Sequence, residues 1–589
     1  MAKGAFSHTK KVTAVTLPEV TKVGDYGFGS ATGIKKVELG ELKEIGEYAF
    51  FETAITTLPA FTVKTDIGKY AFAFTSIKKV TIPDKMKVAE GVFSECSKLT
   101  TVVVGNNVTL GKYAFGTDKD SAFSVKHKNE NGKRYFYYTF GTALKNVTIG
   151  ENADIGETAF TNAASLKKVT LGKGAKLGKM AFYNNASLED IDLSAVTELG
   201  DYALSGDVYY MCLDDQMSVA AVDSTGHYMY TYHAPRIKSA DLSAAKSIGE
   251  YAFAYCRDMT TVKLGDKITE IKPYTFAGCS TLKSINSAAV KTVGEYAFTE
   301  CGELATVDLS AAKEIGEYAF VYNRKLKSVT LNPKGVKIDE AAFSYCDLLN
   351  KVENLDKATD IGNYGFAYSA LNEVVLTDLE KLGDHAFLKE EYTPFKVTLG
   401  EELETIGDNP FAMCIIAPFT AEKEEKVNGV KQTVTTDTFD INKNVTVHGG
   451  SLYAKVPEGW DLITYLGQDP LKAAVMEDTV RVSAMAFVGN DVKLVDLPAT
   501  VAAIGHKAFF DCDKLEMVVF KSYRAPVLEE AFDPTYYESY THVPGTGDYG
   551  TYDDYDGNEV SITGEGIVPL LYVERHRRYV LQRLLRCQL

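Results

Sequence analysis

Several features that would point to common classes of protein are missing from this sequence. Only 16 prolines occur in 589 residues, which argues against long disordered linkers. No apolar run reaches the ~18 residues of a membrane span, and residues 1–6 contain no apolar stretch typical of a signal peptide. The formal net charge is −16, and because an acidic chain repels phosphate backbones, nucleic acid is not an expected partner.

The sequence also lacks a convincing motif for catalysis or for a bound cofactor. Residues 545–550 fit the pattern G-x-G-x-x-G, but they lie in a polar stretch without the strand and helix that a dinucleotide site requires. Residues 553–557 resemble part of a calcium loop, yet Tyr552 stands where the first ligand should be. His227 and His233 could share a strand face, but no cysteine or carboxylate completes a zinc site. We therefore expect no enzymatic activity, no cofactor and no metal.

What the sequence contains instead is a repeat. The string Ile-Gly-Glu-Tyr-Ala-Phe occurs at 45–50, 248–253 and 315–320, and near-copies lie between these positions. Its last residue, called the anchor here, recurs every 21 to 24 residues apart from three longer gaps. The anchors are Phe6, Phe28, Phe50, Phe72, Phe93, Phe115, Phe160, Phe182, Leu204, Phe253, Phe276, Phe298, Phe320, Phe343, Phe366, Phe387, Phe411, Phe487, Phe509 and Phe532.

A second motif, Leu-x-x-Val-x-Leu, lies between the anchors, for example at Leu166, Val169 and Leu171. Its alternation of apolar and polar residues predicts a short strand with one buried face. The glycine of Ile-Gly permits a tight bend, and the anchor supplies a large side chain for the core. One repeat cannot bury its own apolar residues, whereas stacked copies can. The sequence therefore predicts a parallel solenoid of about 20 coils, each of 21–24 residues.

The position three residues after the anchor holds a small side chain in most repeats. Cysteine, asparagine and threonine share little there except their size and the ability to bond a nearby backbone group. This position accounts for most of the cysteines without disulfides or metal, and we expect the cysteines to be reduced. They are Cys96, Cys256, Cys279, Cys301, Cys346, Cys414 and Cys512.

The combined pattern, Ala-Phe-x-x-Cys-x-x-Leu-x-x-Val-x-Leu followed by Ile-Gly-x-x-Ala-Phe, resembles the BspA-like (treponemal-type) leucine-rich repeat over roughly residues 1–535. The resemblance implies an α/β-type leucine-rich-repeat solenoid, mostly strands and turns. It also implies a bacterial protein at the cell surface or secreted, with no catalytic residues, that adheres to host or matrix proteins. Two other functions stay open: a structural spacer and a glycan-binding surface module.

The gaps in the repeat and a change in composition divide the chain. We expect a solenoid over 1–414 with insertions near 117–141 and 206–234, and an inserted or array-closing β segment over 415–470. A second short array follows over 471–535, and a loop with a basic tail over 536–589. The turn-like residues and flanking aromatic runs of the first two insertions predict hairpins.

The basic tail holds five of the eleven arginines of the chain, and its apolar spacing from Val573 to Leu585 suits an amphipathic helix. Three interpretations remain open: a helix that docks on a partner or a membrane surface, a helix that caps the last coil, and an altered reading frame or cloning-derived end. Contact with a membrane is expected only through this tail.

The first two insertions are rich in tyrosine, which offers a large contact area with little rotamer entropy to lose. We predict that these residues bind a protein partner. We also expect this chain to be a monomer. The alternative is that the two hairpins pack on each other and bury their rings. The predicted contact residues are Tyr135, Phe136, Tyr137, Tyr138, Tyr209, Tyr210, Tyr228, Tyr230 and Tyr232.

Overall fold

The structure is a computed structural model that divides into two compact units. The first comprises Met1–Leu331 and Cys346–Leu348, and the second Asn332–Tyr345 and Leu349–Leu589. The residues that the structure describes are 1–116, 124–130, 133–139, 143–206, 208–210, 230–232, 234–427, 430–467, 469–522, 526–528, 551–553, 559–561 and 570–572.

Most coils begin with a strand whose residues alternate between solvent and core; these are called the long strands. In Lys79–Ile82, Val80 and Ile82 are buried while the two polar residues are exposed. Each residue of this strand pairs with the residue at the same position of the next coil: Val80, for example, pairs with Val102 in a parallel ladder. The alternation predicted from Leu-x-x-Val-x-Leu is therefore confirmed.

A short second strand leads to the glycine and then to the anchor turn. A Cβ atom on Gly46 would lie 2.5 Å from the backbone nitrogen of Asp25 in the preceding coil, so only glycine allows the coils to approach this closely. Two residues of most described turns adopt left-handed backbone conformations, as Tyr48 (φ 53°) and Glu52 (φ 54°) do on either side of Phe50. The turns bond to one another through the backbone: Phe50 donates to the carbonyl of Ala71 at 2.7 Å.

The strands of the first unit form parallel sheets on two sides of the coils. The long strands are Ala14–Leu17, Lys36–Leu39, Lys79–Ile82, Thr101–Val104, Asn146–Ile149, Lys168–Leu171, Asp190–Ile191, Ser239–Leu242, Thr261–Leu264, Ser284–Ile285, Thr306–Asp308 and Ser328–Thr330. The strands of the second side are Lys22–Val23, Leu42–Ile45, Phe61–Ile67, Lys87–Val88, Thr109–Leu110, Asp154–Ile155, Lys176–Leu177, Glu198–Leu199, Ser247–Ile248, Glu270–Ile271, Thr292–Val293 and Glu314–Ile315.

The second unit repeats this plan. Its long strands are Lys351–Glu353, Glu373–Leu376, Thr393–Leu399, Cys414–Ile416, Lys472–Ala473, Leu494–Leu497 and Met517–Phe520, and Leu570–Tyr572 pairs antiparallel with the last of them. The strands of its second side are Val336–Ile338, Ala358–Ile361, Lys381–Leu382, Thr405–Ile406, Thr479–Val482, Ala503–Ile504 and Val527–Leu528. The 3-10 turn Leu355–Lys357 is the only helix among the described residues.

The core of each unit is a column of anchor rings. Phe28 and Phe50 stack with centroids 5.0 Å apart, and Phe343 and Phe366 with centroids 5.1 Å apart. These rings are completely buried. The predicted solenoid of about 20 coils, mostly strands and turns, is confirmed, and the described residues contain almost no helix.

The first two insertions contain antiparallel hairpins, as predicted. Ser124–Glu130 pairs with Lys133–Thr139, and Val208–Tyr210 pairs with Tyr230–Tyr232. After the third gap begins, Ala421–Val427 and Val430–Thr436 form another hairpin. A further antiparallel sheet follows, made of Phe439–Asp440, Val445–His448, Ser451–Val456 and Gly459–Thr464. A small hairpin also joins Thr551–Asp553 to Glu559–Ser561.

The third gap contains an anchor that the search for phenylalanine missed. Tyr465 lies 22 residues before Phe487, stacks on it at 4.6 Å, and donates its backbone N–H to Ala486 as the other anchors do. Searching at the repeat spacing for any aromatic residue would have found it. Arg481, which bonds to Asp408 at 2.6 Å and to Asp461 at 3.3 Å, ties the coils on either side of the gap together.

Candidate interaction surfaces

The column of small residues after the anchors is structural. Cys279 Sγ donates to the carbonyl of Phe253 and Cys301 Sγ to that of Phe276, each at 3.3 Å, so each thiol bonds the anchor of the preceding coil. Asn185 Nδ2 does the same to Phe160 at 3.1 Å. The seven cysteines that the sequence assigned to this column are all free thiols, as predicted, while Cys212 and Cys587 lie outside the described residues.

Burial makes these thiols unreactive. It raises the pKa of Cys96 to about 11 and that of Cys279 to about 12. A thiol that stays protonated at neutral pH is a poor nucleophile and a poor metal ligand. The column therefore offers no chemistry for catalysis.

Lys389 is a buried charged residue that the sequence analysis did not single out. Its ammonium donates to the carbonyls of Ser369 and Leu371 at 2.7 and 2.6 Å and lies over the ring of Phe395. Burial lowers its pKa to about 8. Because both carbonyls belong to the neighbouring coil, this lysine joins two coils and has a structural role.

The exposed face of the long strands is a regular polar surface. Side chains of neighbouring coils pair across it, as Lys168 does with Asp190 at 2.6 Å and Lys263 with Asp241 at 3.1 Å. Small hydroxyl residues at Ser239 and Thr261 leave a shallow groove of about 570 Å³ beside the second of these pairs. This face is solvated and contains hydrogen-bonding groups rather than a deep apolar pocket.

The structure places most of the predicted contact residues on the two hairpins. Tyr135, Phe136, Tyr137 and Tyr138 are consecutive residues of Lys133–Thr139 and pair with residues 125–128 of the facing strand. In the second hairpin Tyr210 lies directly opposite Tyr230, Tyr209 opposite Thr231, and Tyr232 opposite Val208. Tyr228 lies outside the described residues.

The turn face, which contains the left-handed residues around each anchor, carries a second set of tyrosines that the sequence analysis did not recognise as a surface. The residue two positions before the anchor is often tyrosine, and these rings stack outside the core. Tyr26 stacks on Tyr48 at 4.9 Å, and Tyr251 on Tyr274 at 4.4 Å. The signal was present in the tyrosine of Ile-Gly-Glu-Tyr-Ala-Phe, which recurs without being needed for the core.

No site for a metal or for a membrane span is found in the described part of the chain. Within those residues no group of three or more His, Cys, Asp or Glu side chains is placed to hold a metal ion. Nor does any helix there have the length and apolar character needed to cross a membrane. The glycine-rich stretch 545–550 and the tail from Val573 lie outside the described residues, and so do residues 554–557 of the calcium-like loop.

Comparison with known proteins agrees with the repeat geometry. The profile of the BspA type leucine-rich repeat region matches residues 1–120, 130–211, 225–347, 313–442 and 477–545. The chain belongs to this family. BspA-type leucine-rich repeats therefore account for both units, and proteins built from leucine-rich repeats generally bind other proteins and are generally not enzymes.

Solved structures of bacterial leucine-rich repeat proteins are similar to the chain. A leucine-rich repeat protein from Bacteroides ovatus is 21% identical, with 65% of this chain and 86% of that one covered and a TM-score of 0.40. One from Eubacterium ventriosum is 19% identical, with 62% and 85% covered and a TM-score of 0.30. A leucine rich cell surface protein from Faecalibacterium prausnitzii is 22% identical, with 58% and 79% covered and a TM-score of 0.28. No curated protein matches the sequence.

Proposed function

We propose that this BspA-type repeat protein is a non-enzymatic module of the bacterial surface or secretome that binds a host or matrix protein as a monomer. The observation that carries the proposal is the presence of two tyrosine-rich antiparallel hairpins on one unit that is otherwise a regular stack of coils. Membership of the BspA-type leucine-rich repeat family supports the same function. The proposal includes the division of the chain into a first array that ends at residue 414, a second array that begins at residue 471, and a loop with a basic tail that begins at residue 536.

The spacing of the hairpins suits a single protein partner. They follow the anchors Phe115 and Leu204, which are three coils apart, and the anchor rings between them step by 5.1–5.2 Å. Their bases are therefore about 15 Å apart, well within the width of one protein interface. Tyr135 and Tyr137 are two residues apart in an extended strand, so they belong to one face of the ribbon.

Replacing Tyr137 and Tyr230 together by serine tests the proposal. We expect the affinity for at least one protein in a panel of purified laminin, collagen and fibronectin to fall more than tenfold, with an unchanged melting temperature. A tenfold loss corresponds to about 1.4 kcal/mol for the two rings together, which is the size expected of ordinary interface contacts. The matched control replaces both by phenylalanine, which keeps the ring area and should retain most of the affinity.

Two outcomes would contradict the proposal. If the serine variant melts earlier and loses affinity only in proportion to unfolding, the hairpins are packing elements. If wild type binds no protein of the panel but does bind purified glycans, the glycan-binding alternative replaces it.

A further inference from the structure

A continuous column of stacked tyrosines crosses the turn face between the coils of Leu204 and Phe320. Its successive ring centroids are 4.4–4.8 Å apart, and every ring is half-buried. Because the ring faces are packed against one another, the column offers solvent its ring edges and hydroxyl groups. The members are Tyr202, Tyr251, Tyr274, Tyr296 and Tyr318.

A carboxylate precedes four of these five tyrosines: Asp201, Glu250, Glu295 and Glu317. The three glutamates are exposed, and none of them forms an ion pair with a described residue. The negative charge of these glutamates affects the tyrosines: the pKa of Tyr274 is raised mainly by burial and, to a smaller extent, by the charge of Glu295. In the remaining coil, that of Tyr274, Pro273 takes the position of the carboxylate, and the neighbouring Lys272 is a cation.

The same position in the preceding coils has a different charge pattern. There lysine and acidic residues balance, and neighbours pair across the coils: Lys69 with Glu90 at 3.0 Å, and Lys112 with Glu157 at 3.2 Å. The turn geometry is the same, so the fold does not require an acidic row. Carboxylates of like charge on adjacent coils repel one another, which makes the acidic row a cost to stability.

We propose that this surface, the acidic tyrosine column, binds an extended polypeptide segment rich in arginine and lysine. Guanidinium groups donate in pairs to carboxylates, and the tyrosine hydroxyls beside them accept further hydrogen bonds. Four ring steps give the column a length of about 18 Å, which matches five or six residues of extended chain. The exposed aromatic edges would pack against the long aliphatic stems of the basic side chains.

The proposal concerns a different surface from the two hairpins, so either can fail without the other. The second insertion does not supply the basic segment, because residues 206–234 contain four aspartates and no lysine or arginine. The partner is therefore sought outside this insertion.

The test uses the full chain and a fluorescent hexa-arginine peptide, with binding followed by anisotropy at about physiological salt. The variant Glu250→Gln, Glu295→Gln, Glu317→Gln is expected to weaken binding at least tenfold. The matched control Glu47→Gln, Glu90→Gln, Glu157→Gln removes as many carboxylates from the same turn position in the preceding coils, where lysines balance them, and should change binding less than twofold. Thermal melting checks that both variants are folded.

An equal loss in both variants would show that the peptide responds only to the net charge of the chain, and it would overturn the proposal. Undetectable binding to wild type would overturn it too. A third variant, Tyr274→Phe with Tyr296→Phe, keeps the ring stack and removes two hydroxyls. We expect a loss of two- to fivefold, and unchanged affinity would exclude the tyrosine hydroxyls from the site.

Discussion

The coils up to Phe182 and those from Leu204 to Phe320 have the same interior and different turn faces. In both regions the anchor rings stack at 5.0–5.5 Å, and the cysteines three positions after an anchor, such as Cys96 and Cys301, bond the anchor of the preceding coil. Both turn faces carry stacked tyrosines, but the earlier one also has ion pairs such as Lys69–Glu90 and Lys112–Glu157, whereas the glutamates of the later one form no ion pair with a described residue. The interior is fixed by the need to stack, whereas the exterior is free to vary with function.

The largest expected effect concerns the shared interior. Phe93→Ala in the earlier region and Phe298→Ala in the later one should each cost about 3–5 kcal/mol, since both rings are fully buried between two neighbours. Coupling in a repeat array runs between neighbouring coils, so the loss should be local. Hydrogen exchange should show faster exchange in the coils adjacent to each substitution.

The exposed substitution Thr81→Ala serves as the control and should change stability by less than about 0.5 kcal/mol. Uniform loosening from Val12 to Phe520 after either Phe→Ala substitution would mean that the coils do not behave as a one-dimensional array. A large difference between the two costs would mean that the interiors of the two regions are not equivalent.

The interior could be predicted from the sequence because each residue type that it requires recurs many times. An anchor ring, an alternating strand and a small bonding residue recur in nearly every coil, so the fold and the free thiols could be read from spacing, whereas the hairpins were predicted from turn-like residues and aromatic runs. Tyr465 escaped because its coil lacks both phenylalanine and the Ile-Gly string. Insertions occur once each, so no periodicity constrains the packing of their side chains.

The acidic tyrosine column was missed for a different reason. A net charge of −16 for the whole chain hides the contrast between a row in which lysines balance the carboxylates and a mainly acidic row at the same turn position. The left-handed conformation that places Tyr274 (φ 57°) on the turn face is also invisible to a search for apolar periodicity. Reading charge one repeat position at a time would have shown the difference.

A smaller effect tests the column of small residues. Cys96→Ala and Cys301→Ala should each cost about 1–2 kcal/mol, because the bond to the preceding anchor is lost and a small cavity remains. Asparagine fills the same position at Asn185 and Asn323 and bonds the same carbonyl, so Cys96→Asn and Cys301→Asn should cost less than alanine. Chemical denaturation at pH 7.5 measures all four, and an asparagine cost above the alanine cost would contradict the interpretation.

The asparagine variants should also differ from wild type in their pH dependence. An unfolded thiol ionises near its ordinary pKa of 9.0, whereas burial raises the pKa of folded Cys96 to about 11. The folded state therefore binds the extra proton between these values, and its stability falls as pH rises, by about 1.4 kcal/mol per pH unit for each such thiol. Cys96→Asn removes one of these thiols, so its stability relative to wild type should increase from pH 9 to pH 11. A difference independent of pH would be inconsistent with a buried, neutral thiol.

The smallest expected effect is the change in stability when a glutamate of the turn face is replaced by glutamine, and its sign should differ between the two regions. Glu157→Gln breaks the ion pair with Lys112. Because the side chains of both residues are about two-fifths exposed, the substitution should destabilise the protein by only a few tenths of a kcal/mol. Glu295→Gln removes a carboxylate that has no ion-pair partner among the described residues and lies next to Glu317 of the following coil, so it should stabilise by a similar amount. Both effects should vanish in about 1 M salt, where charges are screened beyond ~3 Å. Destabilisation by both substitutions would mean that the later row is not repulsive, and the contrast between the two regions would no longer point to a basic partner.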